Sequence, residues 1–233
     1  MTIKLINGKF EDIDPKVIGK PGLCIIDPPD NIKVKYENYK DNLSSTEYVC
    51  LLEKWIVKAC EITDGPVFLS FNEKWINNVE IIINKNNIKL NKRIYWHFGF
   101  CQNNRYNYSS SIRPIYFLNK NIIYPNNIKI PSDREVKYKD KRAKSGGKMP
   151  SNLWSFPRIC GNFKERRKWH PCAHPEALIE RIVLGHSKSR EIVLDPFVGS
   201  GVSARVCVKY NRDCIGIDCS EFYLDQIKKE LKC

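Results

Sequence analysis

Two acids and two prolines stand together after an apolar stretch, in the sequence CIIDPPD at residues 24–30. Proline has no N–H to donate to a sheet, so the pattern predicts that a strand ends at Asp27 and that the chain beyond it is stiff. A carboxylate and two carbonyl oxygens would then be fixed at the tip of a strand. The residues alone leave open what these fixed acceptors hold and what the second acid, Asp30, does.

A glycine turn near the other end of the chain is the second chemical feature. VLDPFVGSG places Asp195 at the end of an apolar run and a Gly-Ser-Gly turn at 199–201 before a helical pattern. Glycines permit a sharp turn and close approach of a ligand. Asp218 lies 17 residues after Gly201, at the end of the next predicted strand, where an acid can bind both ribose hydroxyls. The pair predicts an adenosine-containing cofactor, and because position 204 is alanine the spacing alone leaves NAD open.

Strands and helices alternate in the first 71 residues. Short apolar runs at 3–6, 23–27 and 67–71 predict strands. Between the last two, Ser44 and Glu47 form a capping-box pattern, and apolar residues then recur at a helical period. Strand, helix and strand in this order predict a βαβ unit in a parallel sheet.

The last third of the chain repeats this alternation. Helices are predicted at 175–186, at 203–211 and from Glu221 onward, and strands at 191–197 and 214–218. The middle of the chain predicts a helix at 73–87 and two strands at 93–98 and 114–119, which could form a hairpin. Two strand–helix–strand halves with helices on both faces predict a three-layer α/β fold.

The composition fits one sizeable domain with a polyanion-binding patch. The chain has 233 residues, 42% of them hydrophobic, and a formal net charge of +13. Residues 129–170 hold 13 Lys or Arg against 4 Asp or Glu, with aromatic residues among them. This mixture favours a nucleic-acid surface over a merely solvated loop.

Nothing in the sequence indicates a membrane or a secretory route. No apolar stretch approaches the roughly 18 residues needed to cross a bilayer, and the first residues lack a basic region followed by an apolar core. The ten cysteines form no CxxC pair, and several lie in apolar runs, as reduced thiols do. We therefore expect a cytoplasmic protein.

The two features together resemble the amino-group DNA methyltransferases, which use S-adenosylmethionine (SAM). DPFVGSG at 195–201 resembles the cofactor motif of the family, and IIDPPD at 25–30 resembles its catalytic [DNS]PP[YFW] tetrapeptide. HPEALIERI at 174–182 resembles a motif that packs against the methionine end of SAM. The order of the motifs is similar to the permuted β class of phage and bacterial members. The resemblance implies a circularly permuted, Rossmann-like SAM-dependent methyltransferase sheet with a small basic target-recognition insert, in a bacterium or a phage-infected cell.

The chain departs from the family pattern at two positions. The tetrapeptide ends in Asp30, where an aromatic residue normally stacks on the target base. Lys9 follows Gly8, where members usually carry an aspartate that helps to hold the adenine of SAM. Tyr36 and Tyr39 are our candidates for the missing stacking face.

The resemblance implies chemistry at an exocyclic amine of adenine or cytosine, whose lone pair is delocalised into the ring. Asp27 and the Pro28 carbonyl, fixed by the two prolines, would each accept one N–H and free the lone pair for attack on a methyl group. The base must be flipped out of double-stranded DNA or be single-stranded already. An initial aspartate in the tetrapeptide favours adenine-N6, with cytosine-N4 as the alternative. A homodimer is also considered.

The remaining assignments complete the expected site. The catalytic set is Asp27, Pro28, Pro29 and Asp30. The candidate SAM contacts are Asp195, Pro196, Phe197, Gly199, Ser200, Gly201, Asp218, His174 and Pro175. The candidate DNA contacts are Arg158, Lys164, Arg166, Arg167 and Lys168. The expected parts are 1–119 as the catalytic half, 120–153 as the target-recognition insert and 154–233 as the SAM-binding half.

Three other classes of protein are compatible with these residues. A methyltransferase could act on RNA or another substrate, and the unusual Asp30 keeps that alternative open. A nucleic-acid-binding protein that has lost catalysis is disfavoured, because the acids and glycines of both motifs are present. A nicotinamide enzyme is the third. HPCAH at 170–174 offers two histidines and a cysteine but no second ligand pair, so we expect no metal.

Overall fold

The computed structural model describes residues 1–100, 105–142 and 146–232. The strands in these ranges are β1 (Ile3–Asn7), β2 (Leu23–Ile26), β3 (Pro66–Ser70), β4 (Leu90–His97), β5 (Ile112–Asn119), β6 (Leu153–Ser155), β7 (Ile192–Asp195) and β8 (Asp213–Asp218). The α-helices are α1 (Pro15–Ile18), α2 (Ser45–Ile62), α3 (Ile76–Lys85), α4 (Asp133–Val136), α5 (Glu176–His186), α6 (Val202–Lys209) and α7 (Glu221–Leu231). Short 3-10 helices cover Phe10–Asp12, Glu73–Trp75 and Pro125–Asn127.

The described strands form one sheet in the order β1-β8-β7-β2-β3-β5-β4-β6. β5 runs antiparallel to its neighbours β3 and β4, and the other neighbouring pairs are parallel. From β2 the chain proceeds to β3 on one side, and from β7 it proceeds to β8 on the other side. The strand order therefore reverses between β2 and β7, and such a reversal opens a ligand crevice at the carboxyl ends of the strands.

Helices cover both faces of the sheet, as the alternation along β2 shows. Cys24 and Ile26 pack in a core with α2 and α3. Leu23 and Ile25 point to the other face and pack in a core with α5, α6 and α7. The three-layer α/β fold expected from the sequence is confirmed.

Helix α2 supports the strand tip that carries the two prolines. The capping box is present, because the Ser44 hydroxyl accepts from the Glu47 N–H while the Glu47 carboxylate accepts from the Ser44 N–H. On the buried side of this helix, the Tyr48 hydroxyl donates to the carbonyl of Pro29 at 2.8 Å. The amphipathic pattern of α2 thus fixes both the core and the residues after β2.

The basic segment 120–153 is anchored on α5. The Tyr124 N–H donates to the Gly185 carbonyl at 2.7 Å, and Ile128 packs against Gly185, where an added Cβ would lie 3.0 Å from it. Ile130 and Lys148 pair in an isolated antiparallel bridge. Among the described residues, no helix has both the length and the apolar character needed to cross a bilayer.

Candidate active site

The predicted site residues meet at the edge of the sheet where the parallel strands end. Asp27 directly follows β2, and Asp195, Asp218 and Ser70 are the last residues of β7, β8 and β3. Arg113 reaches the same edge from the opposite direction, because it is the second residue of the antiparallel strand β5. The crossovers therefore bring together residues that are far apart in the sequence.

The glycine turn forms one wall of a cavity of about 960 Å³, the glycine-turn cleft. Other walls come from residues 8–11, from Tyr36 and Tyr39, and from Asp218. Five of the predicted SAM contacts around the turn line this cleft: Asp195, Pro196, Phe197, Gly199 and Ser200. Gly201 and Pro175 do not line it and are the N-cap residues of α6 and α5.

The position of Gly199 requires a glycine. Its φ is +42°, and an added Cβ would lie 2.8 Å from Nε2 of His170. The N–H of Gly199 donates to Asp218 Oδ2 at 3.0 Å, and the N–H of Ser220 donates to Oδ1 at 2.8 Å. The turn thus fixes the Asp218 carboxylate at the cleft, where its remaining lone pairs can accept hydrogen bonds from hydroxyl groups. Burial raises the pKa of Asp218 against the effect of these two hydrogen bonds.

Asp195 is buried and stabilises the turn from inside. Its carboxylate accepts from the N–H of Phe197 at 3.0 Å and from the hydroxyl of Ser203. Burial raises its pKa to about 7, although the Ser203 hydrogen bond opposes this rise. Asp195 therefore holds the residues on both sides of the glycine turn in place.

A second cavity opens on the other side of Asp27. We call it the Arg113 cleft; its volume is about 1140 Å³, and Arg113, Trp96, Phe98 and Arg158 are among the residues that line it. The guanidinium of Arg158 lies 5.7 Å from the centre of the Phe98 ring. The two clefts share a short boundary, formed by Asp27, Tyr36, Cys172, Ala173 and His174. Asp27 therefore faces both cavities.

The Asp27 carboxylate is held by one group on each oxygen. Arg113 Nη2 donates to Oδ1 at 2.7 Å, and Nδ1 of His174 lies 3.2 Å from Oδ2. Burial alone would raise the pKa of Asp27, but His174 and Arg113 outweigh it and hold the pKa below its ordinary value. Asp27 is consequently a carboxylate near neutral pH, and it is suited to accept hydrogen bonds.

His174 lies between Asp27 and Ser70. Arg113 Nε can only donate, so Ser70 Oγ accepts from it at 2.7 Å, and the same oxygen lies 3.1 Å from His174 Nε2. Because the ionised Asp27 carboxylate can only accept, Nδ1 of His174 carries a hydrogen and donates it to Asp27. Burial lowers the pKa of His174, and the negative charge of Asp27 opposes this lowering.

Hydrogen bonds hold the chain that follows Asp27. Trp75 Nε1 donates to the Asp30 carbonyl at 2.7 Å. The carboxylate of Asp41 accepts the N–H groups of Asn31, Ile32 and Val34. These hydrogen bonds further restrict a segment that the two prolines already make stiff.

The two candidate stacking residues lie in different places. Lys35 and Lys40 pair across a small hairpin that carries both tyrosines. Tyr36 is half-buried and lines both clefts, whereas Tyr39 lines the glycine-turn cleft and meets Tyr36 edge to face at 6.2 Å. Asp30 lies in the Arg113 cleft and pairs there with Arg113 at 2.6 Å.

The basic run 164–168 is partly paired within the protein. Arg167 Nε donates to Glu230 at 3.0 Å, so this arginine joins the run to α7. Lys164, Arg166 and Lys168 are exposed, as is Arg158. The described residues bring no three His, Cys, Asp or Glu side chains together in a way that could hold a metal.

Three contributors to the site escaped the sequence analysis: Ser70, His170 and Arg113. The available signal for Arg113 is its charge at the head of the apolar run PIYFLN. Ser70 ends a strand that is otherwise buried and apolar. His170 lies beside Gly199 and contacts Tyr223 at 4.6 Å between ring centres.

Taken together, the fold and the two adjoining clefts define an α/β protein with room for two ligands, one on each side of Asp27. The model of the family N6_N4_Mtase, described as DNA methylase, matches residues 22–229. The chain belongs to this DNA methylase family. It is a SAM-dependent amino-group DNA methyltransferase, as the motifs indicated.

Individual proteins show the same relationship. The Type II methyltransferase M.HpaI of Haemophilus parainfluenzae is 31% identical over 217 residues, which are 90% of this chain and 67% of that protein. The DNA adenine methyltransferase YhdJ of Escherichia coli (strain K12) is 42% identical over 77 residues, 33% of this chain and 26% of that protein. The superposition on the crystal structure of the M1.HpyAVI–SAM complex covers 100% of this chain and 100% of that chain. Its TM-score is 0.70 at 21% sequence identity, which supports the fold.

Proposed function

We propose that this methyltransferase acts on the N6 amine of adenine in DNA, with Asp27 as the acceptor that holds the amine. One observation carries this proposal. Asp27 is ionised and lies on the boundary between the glycine-turn cleft and the Arg113 cleft. A group at that boundary can hold the nucleophile in one cavity within reach of the methyl donor in the other.

The glycine-turn cleft suits SAM in shape and in its donor set. Asp218 offers carboxylate lone pairs to ribose hydroxyls, and Gly199 leaves room that a Cβ would fill. Glu11 lines the cleft and is held by Trp55 Nε1 at 2.7 Å, so we assign it the adenine contact that Lys9 cannot make. His174 lines the same cleft. Bound SAM supplies an electrophilic methyl group on a sulfonium.

The chain's own part in the reaction is to hold the amine. Asp27 accepts one N–H and the Pro28 carbonyl accepts the other, which draws the nitrogen toward tetrahedral geometry and localises its lone pair. Pro28 lines the Arg113 cleft beside Asp27, and Pro29 is fixed by Tyr48. Acceptors that are already in place need no reorganisation during the reaction. After methyl transfer the amine nitrogen is cationic, and Asp27 stabilises that charge until the proton leaves to water.

The target base lies in the Arg113 cleft, flipped out of the duplex. An amine inside a base pair cannot reach Asp27, so extrusion is required. A flipped base needs a flat apolar face, and Tyr36 with Trp96 and Phe98 supplies such surface in this cleft. We favour Tyr36 over Tyr39 as the stacking residue, because Tyr36 reaches both cavities.

Two observations favour adenine over cytosine. The tetrapeptide begins with Asp27, as adenine-N6 members of the family commonly do. One relative, YhdJ, is named a DNA adenine methyltransferase, although its match covers a third of this chain. Cytosine-N4 and RNA are the alternative targets.

The DNA contacts exposed cations of the segment that follows the insert. Arg158 lines the Arg113 cleft, and Lys164, Arg166 and Lys168 add exposed positive charge in the same segment. Arg167 contributes less, since Glu230 already neutralises it. We retain 120–153 as the target-recognition insert between the catalytic half, 1–119, and the SAM-binding half, 154–233, in the permuted order of the β class.

Transfer of a labelled methyl group tests the proposed substrate. Purified protein is incubated with methyl-tritiated SAM and either PCR-amplified duplex DNA or its RNA transcript. We expect label in the DNA, none in the RNA, and none in either with Asp27→Asn. Label in RNA at an equal or greater rate would overturn the assignment of DNA as the preferred substrate.

A further inference from the structure

Asp30 stands where the family has an aromatic residue, and its side chain has no free face for a base. Oδ2 accepts from Arg113 Nη1 at 2.6 Å. Oδ1 accepts from Arg113 Nη2 at 3.0 Å and from the N–H of Asn72 at 2.9 Å. Only 13% of the side chain is exposed. Asp30 is therefore fully engaged in binding Arg113, and it cannot serve as a replacement for a stacking residue.

Arg113 in turn distributes its hydrogens unequally between two acids. It gives two hydrogen bonds to Asp30 and one to Asp27, and its Nε donates to Ser70. The guanidinium is 17% exposed and planar, so its donors keep fixed directions. Asp30, itself held by the N–H of Asn72, accepts two hydrogen bonds from Arg113, while Asp27 accepts one.

The unequal sharing of Arg113 leaves lone pairs free on the Asp27 carboxylate. An arginine facing one carboxylate tends to form a fork with both of its oxygens. Such a fork on Asp27 would occupy the lone pairs that the target amine needs. Because Asp30 takes the fork, Arg113 supplies its charge to Asp27 and leaves acceptor capacity open toward the cleft.

We propose that Asp30 and Arg113 are a positioning pair for the reaction: Arg113 orients Asp27 and keeps it ionised, and Asp30 holds Arg113 so that Asp27 remains open to the amine. The inference rests on the proposed role of Asp27. It also explains why an acid follows the two prolines in this chain. The stacking surface that the family places at this position must then come from Tyr36 and the aromatic side chains of the Arg113 cleft.

Because Arg113 compensates the negative charges of Asp27 and Asp30, its removal should change how the reaction rate depends on pH. Arg113 compensates two carboxylates, and other groups also act on Asp27 or are affected by it: His174, Asp195, Tyr36, His170 and Cys172. Burial lowers the pKa of His174, whereas the two acids raise the pKa of Arg113, so Arg113 carries the permanent positive charge beside Asp27. Without that charge, two partly buried acids would face each other, and the pKa of Asp27 would rise.

The test is a set of pH–rate profiles for single-turnover methyl transfer to PCR-amplified duplex DNA at saturating SAM. Arg113→Met should lose activity and gain an acid limb at roughly pH 5–7 that the wild type lacks in this range. Asp30→Asn should lower the plateau rate about tenfold or more without an acid limb there, because the arginine then forks onto Asp27. The double variant, Arg113→Met with Asp30→Asn, should be faster than Arg113→Met at pH 7. Its acid limb should also lie at lower pH, since one of the two repelling carboxylates is gone.

Arg93→Met is the matched control. Arg93 belongs to the same hairpin and binds Glu80 through Nε at 2.7 Å and Nη2 at 2.8 Å, outside both clefts. Its removal should leave the pH profile in place. SAM titration and thermal unfolding verify that each variant is folded.

The outcomes separate this inference from the proposed function. An Asp27→Asn variant with wild-type activity would refute the amine clamp itself. If Asp27→Asn is inactive while Arg113→Met shows no acid limb, or the double variant is slower than either single variant, the positioning pair is refuted. Should Arg113→Met fail to fold, Asp30→Asn decides alone, and an unchanged plateau rate overturns the inference.

Discussion

Replacement of Asp218 by asparagine tests the cofactor end of the site. Both carboxylate oxygens accept backbone hydrogens, from Gly199 at 3.0 Å and from Ser220 at 2.8 Å. Asparagine keeps one acceptor but turns an NH₂ group toward the other N–H, and the two donors repel each other. The variant also offers the ribose hydroxyls one acceptor fewer, so SAM binding should weaken.

The size of the effect follows from the bonds involved. A hydrogen bond to a charged group contributes about 1.5–3 kcal/mol, so loss of one to the ribose predicts about 10- to 150-fold weaker SAM binding. Isothermal titration with SAM measures it. Asp213→Asn is the control, because Asp213 lies at the other end of β8 and accepts the N–H of Thr2 at 2.5 Å. A folded Asp218→Asn protein whose Kd stays within about twofold of the wild type would refute the ribose role.

Three further outcomes are expected. Tyr36→Ala should slow methylation of duplex DNA about tenfold or more while Tyr36→Phe retains it, since stacking needs the ring and not the hydroxyl; equal rates in all three proteins would contradict this. The pKa of Asp195 is about 7 when folded against an ordinary 3.8, so the folded state keeps a proton that the unfolded state releases. Unfolding free energy should therefore fall as pH rises from about 4 to 7, by about 4 kcal/mol at most, and denaturant titrations of Asp195→Asn should lose this slope. Replacing Lys164, Arg166 and Lys168 together by alanine should reduce the slope of log affinity for DNA against log salt by about 2 to 3, and an unchanged slope would exclude them from the interface.

Much of the fold could be predicted because local patterns and the global fold agree. The capping box at Ser44 and the apolar period of α2 locate the helix that joins β2 to β3. Continuous apolar runs locate the central strands, which are buried on both faces. The strand β6 was missed, since its three residues LWS carry too short a pattern to be distinguished from a loop.

The site was only partly predictable, for a physical reason. Asp27, Asp195 and Asp218 end parallel strands, so their shared edge follows from the strand order. Arg113 lies 86 positions from Asp27, in an antiparallel strand whose register is set by pairing with β3. No local pattern encodes that register, and the purpose of Asp30 could not be seen without its partner.

The central claim is that Asp27 directs methylation to an exocyclic amine in DNA, and mass spectrometry of nucleosides tests it most directly. PCR-amplified DNA is treated with SAM and either the wild-type protein or Asp27→Asn, digested, and analysed for methylated nucleosides. We predict N6-methyldeoxyadenosine with the wild type and none with the variant; N4-methyldeoxycytidine in its place would move the target to cytosine while preserving the amine chemistry. Methylation at a ring carbon, or equal amounts of product from both proteins, would contradict the account.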